Sequence, residues 1–464
     1  MTAQLVAEHL LLEGGWASPG HLAVDEGGLI AAAAAGPPPP DWAGAQRIDG
    51  FVVPGVPNVH SHAHQRLLAG RAEFAGGDER GNLWTWRELM YRLAERLDPD
   101  LLEAAAAQAY VEMLEAGFTA VGEFHYVHHG PDGRPYADPA EMSRRIFAAA
   151  DATGIGLTHL PVLYQTGGVR GQAVTGAQRR FAHDLDSFGA LVATCADTAA
   201  SRPGLWRVGA APHSLRAVGG DSLKRLAATM AREWPAAPVH IHVAERREEV
   251  KECLDGLGAR PIEWLLDGVE ADDRWTLVHA THCSPAEREA MATAGATVGL
   301  CPATEANLGD GLFPLVEFDA AGGAWAVGTD MNHAISVVEE LRTLEVGQRL
   351  RLESRVLLGA PEPRHAGAVL LDRAWRWGAR SIAQPIGRIA AGLRADLVVL
   401  DPTSPALAAH GTATVLDAWL LSSTDNPVRG VMVGGRWRVR DGRHHERDVT
   451  RTRFVAAARA AAPA

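Results

Sequence analysis

Residues 51–66 read FVVPGVPNVHSHAHQR, an apolar run that ends in histidines at alternate positions. On an extended strand residues i and i+2 face the same way, so His60 and His62 offer two imidazoles to one point. Such a pair can share one ion, with Zn–N distances of roughly 2.0–2.1 Å. An H-x-H pair also occurs as ordinary core or surface histidines, so the rest of the chain has to decide.

The run at 51–58 is the first of eight. The others lie at 118–123, 155–164, 206–212, 238–243, 275–278, 296–301 and 324–328. Helical patterns separate them: 98–116 opens on Asp-Pro and stops before Gly117, 284–294 opens on Ser-Pro, and 221–234 is a third. Eight such alternations predict a TIM-type (β/α)8 barrel, an α/β fold. Seven of the eight also end in functional residues: His60 and His62, then Glu123 to Tyr126, His213, His242 with Glu245, His279, Thr304-Glu305, and Asp330. Barrel active sites sit at these C-terminal strand ends.

Outside 51–384 the rhythm is strand and turn. Residues 1–50 hold short strands, a Pro-rich break at 36–40 and an Asp49-Gly50 turn; past 385 come an apolar run at 395–400 and a hairpin around Gly434-Gly435. The two segments, 1–50 and 385–464, are expected to build one small β-sandwich domain.

The 464 residues are 47% hydrophobic and 22% charged, ordinary for a globular chain, and the formal net charge is -12. That charge excludes a general attraction to nucleic acid or to an anionic membrane. An anionic substrate would need local arginines. The four cysteines, Cys195, Cys253, Cys283 and Cys301, show no C-x-x-C spacing and fit reduced thiols in a cytoplasmic protein. Neither a secretory leader nor a membrane-spanning run is expected.

A catalytic zinc takes about three protein ligands and keeps an open position. His242 is the third candidate and Asp330 the fourth; His240 is a rival on the same strand face, set aside because His242 lies nearer the strand end and precedes Glu245. Asp330 can bind metal and also accept the proton of the attacking water. Glu245 is the expected proton shuttle to a leaving nitrogen. His279 is expected to hydrogen-bond the hydroxide or the tetrahedral intermediate. His282 is assigned to a loop. The third and fourth runs end at Leu163-Tyr164 and Pro212-His213-Ser214, without a lysine to bridge two ions, so one divalent metal ion per subunit is favoured, zinc first for His/Asp ligation.

These residues carry a resemblance. PGVPNVHSHAHQR (54–66), WTWRELMYR (84–92), EFHYVHH (123–129), HSLRAV (213–218), VHIHVAE (239–245), LVHATH (277–282), TEANLGDGLFP (304–314), SVVEELRTLE (336–345) and QPIGRIAAGLRADLVVLD (384–401) span nearly the whole chain. Together the chain resembles the amidohydrolase superfamily, in its mononuclear aminohydrolase branch, and more narrowly the formimidoylglutamate deiminases. The resemblance implies hydrolysis of the C=N group of N-formimidoyl-L-glutamate, a step of histidine degradation, to N-formyl-L-glutamate and ammonia. It implies zinc on His60, His62, His242 and Asp330, a substrate surrounded by Gln65, Arg87, Tyr126, His213 and Arg216, and a homodimer. Guanidinium groups suit a dicarboxylate. Arg87, in a long excursion after the first strand, could serve its own subunit's site or a neighbour's, while Trp84 and Trp86 are expected to pack. Two positions depart from the family's pattern. His64 stands where a phenylalanine is usual, past the strand end, with little effect expected. Met331-Asn332-His333 replaces a Ser-His or Ser-Asn pair after the aspartate, placing a thioether beside Asp330; His333 is expected in the loop.

The rival readings are another aminohydrolase of the same scaffold, acting on a nucleobase, triazine or guanidino acid, and an inactive binding barrel. A flat ring would want stacking aromatics, and aromatic residues are only 6% of the chain. An inactive barrel would be expected to have lost metal ligands or the shuttle, and all are present.

Overall fold

The structure is a computed structural model that describes residues 3–74, 83–358 and 365–461, with the side chains of 83–85 outside the description. Five strands precede the strand that carries His60: β1 (Ala3–Leu12), β2 (Gly15–Ala17), β3 (Gly20–Val24), β4 (Ile30–Ala35) and β5 (Gln46–Pro54). Nine follow: β6 (Val56–Ser61), β7 (Phe118–His125), β8 (Gly156–Leu163), β9 (Trp206–Val208), β10 (Ala211–Pro212), β11 (Val239–Val243), β12 (Trp275–His279), β13 (Thr297–Leu300) and β14 (Ala324–Val327). The last four are β15 (Leu397–Leu400), β16 (Val428–Val433), β17 (Arg436–Arg440) and β18 (Arg443–His444).

The first expected run, 51–58, is two strands rather than one. Pro54-Gly55 divides it: Phe51–Pro54 of β5 pairs antiparallel with β15, whereas β6 pairs parallel with β7. Gly55 sits at the parting, its N–H given to Asp396 O at 3.0 Å, and a Cβ there would lie 2.3 Å from the Thr119 side chain. The fourth run also divides, into β9 and β10, both on β8. The helices keep close to expectation. Pro99–Ala116 is capped by the Asp98 side chain, which accepts from Leu101 N, and ends at left-handed Gly117; Pro285–Ala294 opens on a Ser284–Glu287 capping box. Gly220–Glu233 begins one residue earlier than expected, on Gly219.

β6 to β10 form one parallel sheet, ordered β10-β8-β7-β6 with β9 also on β8, and β11 to β14 form a second in chain order. Parallel bridges Ala210↔Val239 and Ser61↔Asp330 join both pairs of edges, so the order returns to β6. At the N-terminal ends of these strands, residues 381–384 close the interior: Thr158 donates to Ile382 O at 2.6 Å, His240 Nε2 meets Ser381 O at 2.8 Å, and Thr276 and Ser381 share a hydroxyl contact.

The remaining nine strands make one sheet, β18-β17-β16-β15-β5-β1-β3-β4 with β2 on β1, antiparallel except for β1 with β5. A separate apolar cluster that includes Leu5, Leu10, Leu22, Ile30, Val52, Leu397 and Met432 lies within it. β5 runs across residue 50, and the C-terminal helix Arg447–Ala460 leaves the sheet to pack on Pro99–Ala116, with Arg453 on Glu103 at 2.7 Å. The four cysteines are unpaired. Among the described residues no helix is long and apolar enough to cross a membrane.

Candidate active site

Period-two geometry brings His60 and His62 to the same side of β6, and both rings are buried. Their Nε2 atoms lie 3.4 and 3.3 Å from Asp330 Oδ1, and His242 Nε2 lies 3.1 Å from His60 Nε2. Ligand atoms about 2.0–2.2 Å from one ion at tetrahedral angles are roughly 3.3–3.5 Å apart, so the spacing suits a single ion. The donor chemistry fits as well. His62 Nδ1 donates to Phe124 O at 2.8 Å and His242 Nδ1 to His213 O at 3.1 Å, which leaves both Nε2 atoms as lone pairs facing the centre. Burial pushes His60 down to about 3 against the pull of Asp330, and burial lowers His62 and His242 too, so the three imidazoles are neutral, as ligands must be. Burial alone would raise Asp330, but the His60 hydrogen bond and the charged His279 nearby hold it well below the usual carboxylate range.

The four ligand atoms lie within 4.8 Å of one another. His279, Cys301 and Asp330 also converge, but burial, then Asp330 and Glu305, hold the Cys301 thiol well above its ordinary value, and the thiolate is the form that binds metal. His240, the rival ligand, is spent on Ser381 at the opposite ends of the strands.

The backbone at the strand ends is forced. Ala244, His279, Ala280, Asp330 and Asn332 all have positive φ, between 44° and 68°, without being glycine. Each such residue costs on the order of 1–3 kcal/mol and persists only where its surroundings hold it. At Asp330 the holding groups are visible: His62 N donates to Asp330 O and Asp330 N to His60 O, both at 2.9 Å. Gly328 permits this approach, since a Cβ there would lie 2.6 Å from His60 N.

A cavity of about 490 Å³ opens over the group. It is lined by His62, His242, Asp330, Glu245 and His279, and by all five residues expected around a substrate: Gln65, Arg87, Tyr126, His213 and Arg216. Arg87 therefore reaches the site of its own chain, with Nε donating to Tyr91 OH at 2.8 Å. Arg216 Nη2 meets Glu245 Oε2 at 3.4 Å, and among the described residues its buried Nε has no partner. Burial lowers the Arg216 guanidinium, but Glu249 and Glu245 raise it further, so it stays charged. Glu245 is fixed through its backbone N–H, given to Glu249 Oε2 at 3.1 Å. Burial alone would lower His279, yet Glu245, Glu305 and Asp330 raise it to about 10. Trp86 packs against the core and lines the cavity as well; the Trp84 side chain lies outside the described residues.

The two departures behave differently from expectation at one position and as expected at the other. The 3-10 turn Ala63–Leu68 swings His64 back so that its Nε2 lies 2.9 Å from Tyr126 OH, which also accepts from Gln65 Nε2 at 2.8 Å. His64 thus touches a cavity residue, although its position past the strand end suggested little effect. Met331 is buried and lines the cavity; next to it the Asn332 amide donates to Ser61 Oγ at 3.0 Å and to Asp330 O at 3.1 Å. His333 is absent from the lining and sits in the loop, its carbonyl accepting from Arg66 at 3.4 Å. His282 likewise sits in its loop, its Nε2 lying 2.9 Å from Asp310 O of the loop after the helix Pro302–Leu308.

Sequence reasoning missed the supports. Glu305 meets His279 Nδ1 at 3.3 Å, and its strand-end position was the only signal for it. Asn58 bonds Thr329 Oγ1 at 2.7 Å, and Thr329 in turn bonds Asn332 Oδ1 at 2.6 Å.

The amidohydrolase family model matches residues 51–438. The chain is 48% identical, over 97% of its length and 98% of the relative's, to the formimidoylglutamate deiminase of Pseudomonas aeruginosa. It is 29% identical to a 5-methylthioadenosine/S-adenosylhomocysteine deaminase of Natronomonas pharaonis, over 86% of this chain and 84% of that one. Among solved structures, the crystal structure of an amidohydrolase from Brucella melitensis superposes with a TM-score of 0.92 at 43% identity, covering 99% of both chains.

Proposed function

This chain belongs to the amidohydrolase family, and from that premise we propose that it hydrolyses the C=N group of N-formimidoyl-L-glutamate to N-formyl-L-glutamate and ammonia. The observation that carries the substrate is the pairing of Arg87 and Arg216 in the cavity that opens over His60, His62, His242 and Asp330. In a chain of net charge -12, two guanidinium groups beside a metal-binding group suit a small dicarboxylate. The 48% identity to a formimidoylglutamate deiminase supports the same substrate over an adenosine-type ring, since identity to the Natronomonas pharaonis deaminase is 29%.

His60, His62, His242 and Asp330 would hold a divalent ion, zinc by the preference of His/Asp donors, which would supply a water of pKa about 7 and Lewis acidity toward the C=N group. Asp330 accepts the proton of the attacking water. Glu245, next to Arg216 and within the cavity, carries a proton to the leaving nitrogen. His279, its charge supported by Glu305, stabilises negative charge as the tetrahedral centre forms. Gln65, Tyr126 and His213 complete the substrate's surroundings.

The finer architecture belongs to the same reading. The two bridged parallel sheets form one TIM-type (β/α)8 barrel over 51–384, and the nine-stranded sheet, closed over its own apolar cluster, is a small β-sandwich built by 1–50 and 385–464, with β5 carrying the chain across. The protein is taken as a cytoplasmic homodimer with one ion per subunit. A panel of N-formimidoyl-L-glutamate, N-formimidoyl-L-aspartate, guanidino acids and nucleobases tests the substrate. The glutamate compound is expected to have the highest kcat/KM, and a nucleobase in that place would refute the assignment.

A further inference from the structure

Tyr126 OH stands between two donors-in-waiting. Gln65 Nε2 lies 2.8 Å away and His64 Nε2 2.9 Å away, and the His64 and Tyr126 rings meet edge to face at 4.9 Å. His64 is 1% exposed, and its imidazole carries a ring proton on one nitrogen or the other. Which nitrogen holds it sets the polarity of Tyr126. With the proton on Nδ1, Nε2 would accept the phenolic hydrogen and Tyr126 would turn only a lone pair to the cavity. With the proton on Nε2, Tyr126 Oη accepts from both neighbours and its own O–H is free.

The unpartnered atoms decide between these. Among the described residues His64 Nδ1 and Gln65 Oε1 are buried without a hydrogen-bond partner. Orphaned buried N–H groups are rarer than orphaned acceptors. A proton on Nε2 makes both leftover atoms lone pairs, whereas a proton on Nδ1 buries an N–H with nothing to receive it.

We propose that His64 is a positioning residue for Tyr126: together with Gln65 it saturates the phenolic oxygen with donors, so that Tyr126 must give its hydrogen to an anionic group of the substrate. The inference rests on the dicarboxylate reading of the cavity, where Arg87 and Arg216 bring the anion. His64 itself does not line that cavity and acts through Tyr126 alone. A carboxylate gains a donor of fixed direction, and a neutral group in the same place gains less, since a hydrogen bond to a charged partner is the stronger one. His64 is thus a determinant of substrate charge.

The test is a double-mutant cycle in the metal-replete enzyme: wild type, His64→Phe, Tyr126→Phe and the double variant, with KM and kcat for N-formimidoyl-L-glutamate. Tyr126→Phe is expected to raise KM roughly tenfold or more, the worth of a hydrogen bond to a charged group. His64→Phe is expected to raise KM several-fold at nearly constant kcat, with metal content and melting temperature unchanged, and to add nothing in the Tyr126→Phe background. His64→Gln, which keeps an N–H donor, is expected to recover most of the loss. Equal effects of His64→Phe in both backgrounds, no effect in wild type, or loss of metal in its place would each overturn the proposal. A wild type that releases no ammonia from this substrate defeats the functional reading by itself. The inference is then decided by the ¹⁵N signals of His64 in histidine-labelled protein, assigned by their absence in His64→Phe: a proton on Nε2 supports it, and a proton on Nδ1 overturns it.

Discussion

At the residue scale the proposed site divides into groups that would hold the ion and groups that would handle the substrate, and the two should separate under mutation. Arg216 touches Glu245 and lines the cavity but is no member of the His/His/His/Asp group. Arg216→Ala is expected to weaken kcat/KM for the dicarboxylate by roughly 10²-fold, the cost of removing one partner of a desolvated charge pair, with metal content intact. Zinc lost in parallel with activity would show that the residue supports the ion instead. Glu245→Gln is expected to keep its metal and lose roughly 10²–10⁴ in kcat; a turnover number equal to wild type would remove its acid–base role. The ligands were legible because strand parity makes H-x-H converge, and because His242 and Asp330 end other runs. The Asn58–Thr329–Asn332 links were not, since Asn58 and Thr329 are 271 residues apart and neither type announces its partner. Nor was His64, whose direction depends on the 3-10 turn that follows the strand.

At the element scale the decisive feature is how β14 comes against β6. Their junction is the bridge Ser61↔Asp330, which sets Asp330 against the strand position flanked by His60 and His62. Gly328 makes the approach possible, because the atoms a Cβ would meet are backbone atoms of His60 that cannot swing aside. Gly328→Ala is therefore expected to cost about 1–3 kcal/mol in denaturant unfolding and to weaken metal binding together with it. A variant that binds metal as tightly as wild type would show that the junction tolerates a wider gap. Element types were readable from the alternation of apolar runs with helical patterns and from caps such as Asp98 and Ser284. Strand boundaries were less so. The 51–58 run is apolar up to Asn58, and only the tertiary contact of Gly55 with Asp396 and Thr119 divides it between two sheets.

At the scale of the whole molecule, burial has consequences beyond the site. His159 packs beside Phe147 and near Trp206 and is held down at about 3 by burial, from an ordinary 6.5. Between those values the unfolded chain binds one more proton at this position than the folded chain. Its contribution is therefore intact above pH 6.5 and is lost as pH falls toward 3. His240 and His444, at about 4, add to the same acid lability. The stability of His159→Phe should fall less steeply than that of wild type between pH 6.5 and 4, by about 1.4 kcal/mol per pH unit; parallel slopes in denaturant titrations would contradict this. The plan of parallel strands followed by a terminal β unit could be read from the chain, but the return of helix Arg447–Ala460 to Pro99–Ala116 could not, because an Ala- and Arg-rich helix carries no mark of its neighbour.

The central claim is that one divalent ion on His60, His62, His242 and Asp330 is required for hydrolysis of N-formimidoyl-L-glutamate. Titrating zinc into metal-stripped protein while recording ammonia release tests it most directly. Activity should be absent at the start and rise to a break at one ion per chain. Robust turnover by the stripped protein, or a break only at two ions, would contradict the claim.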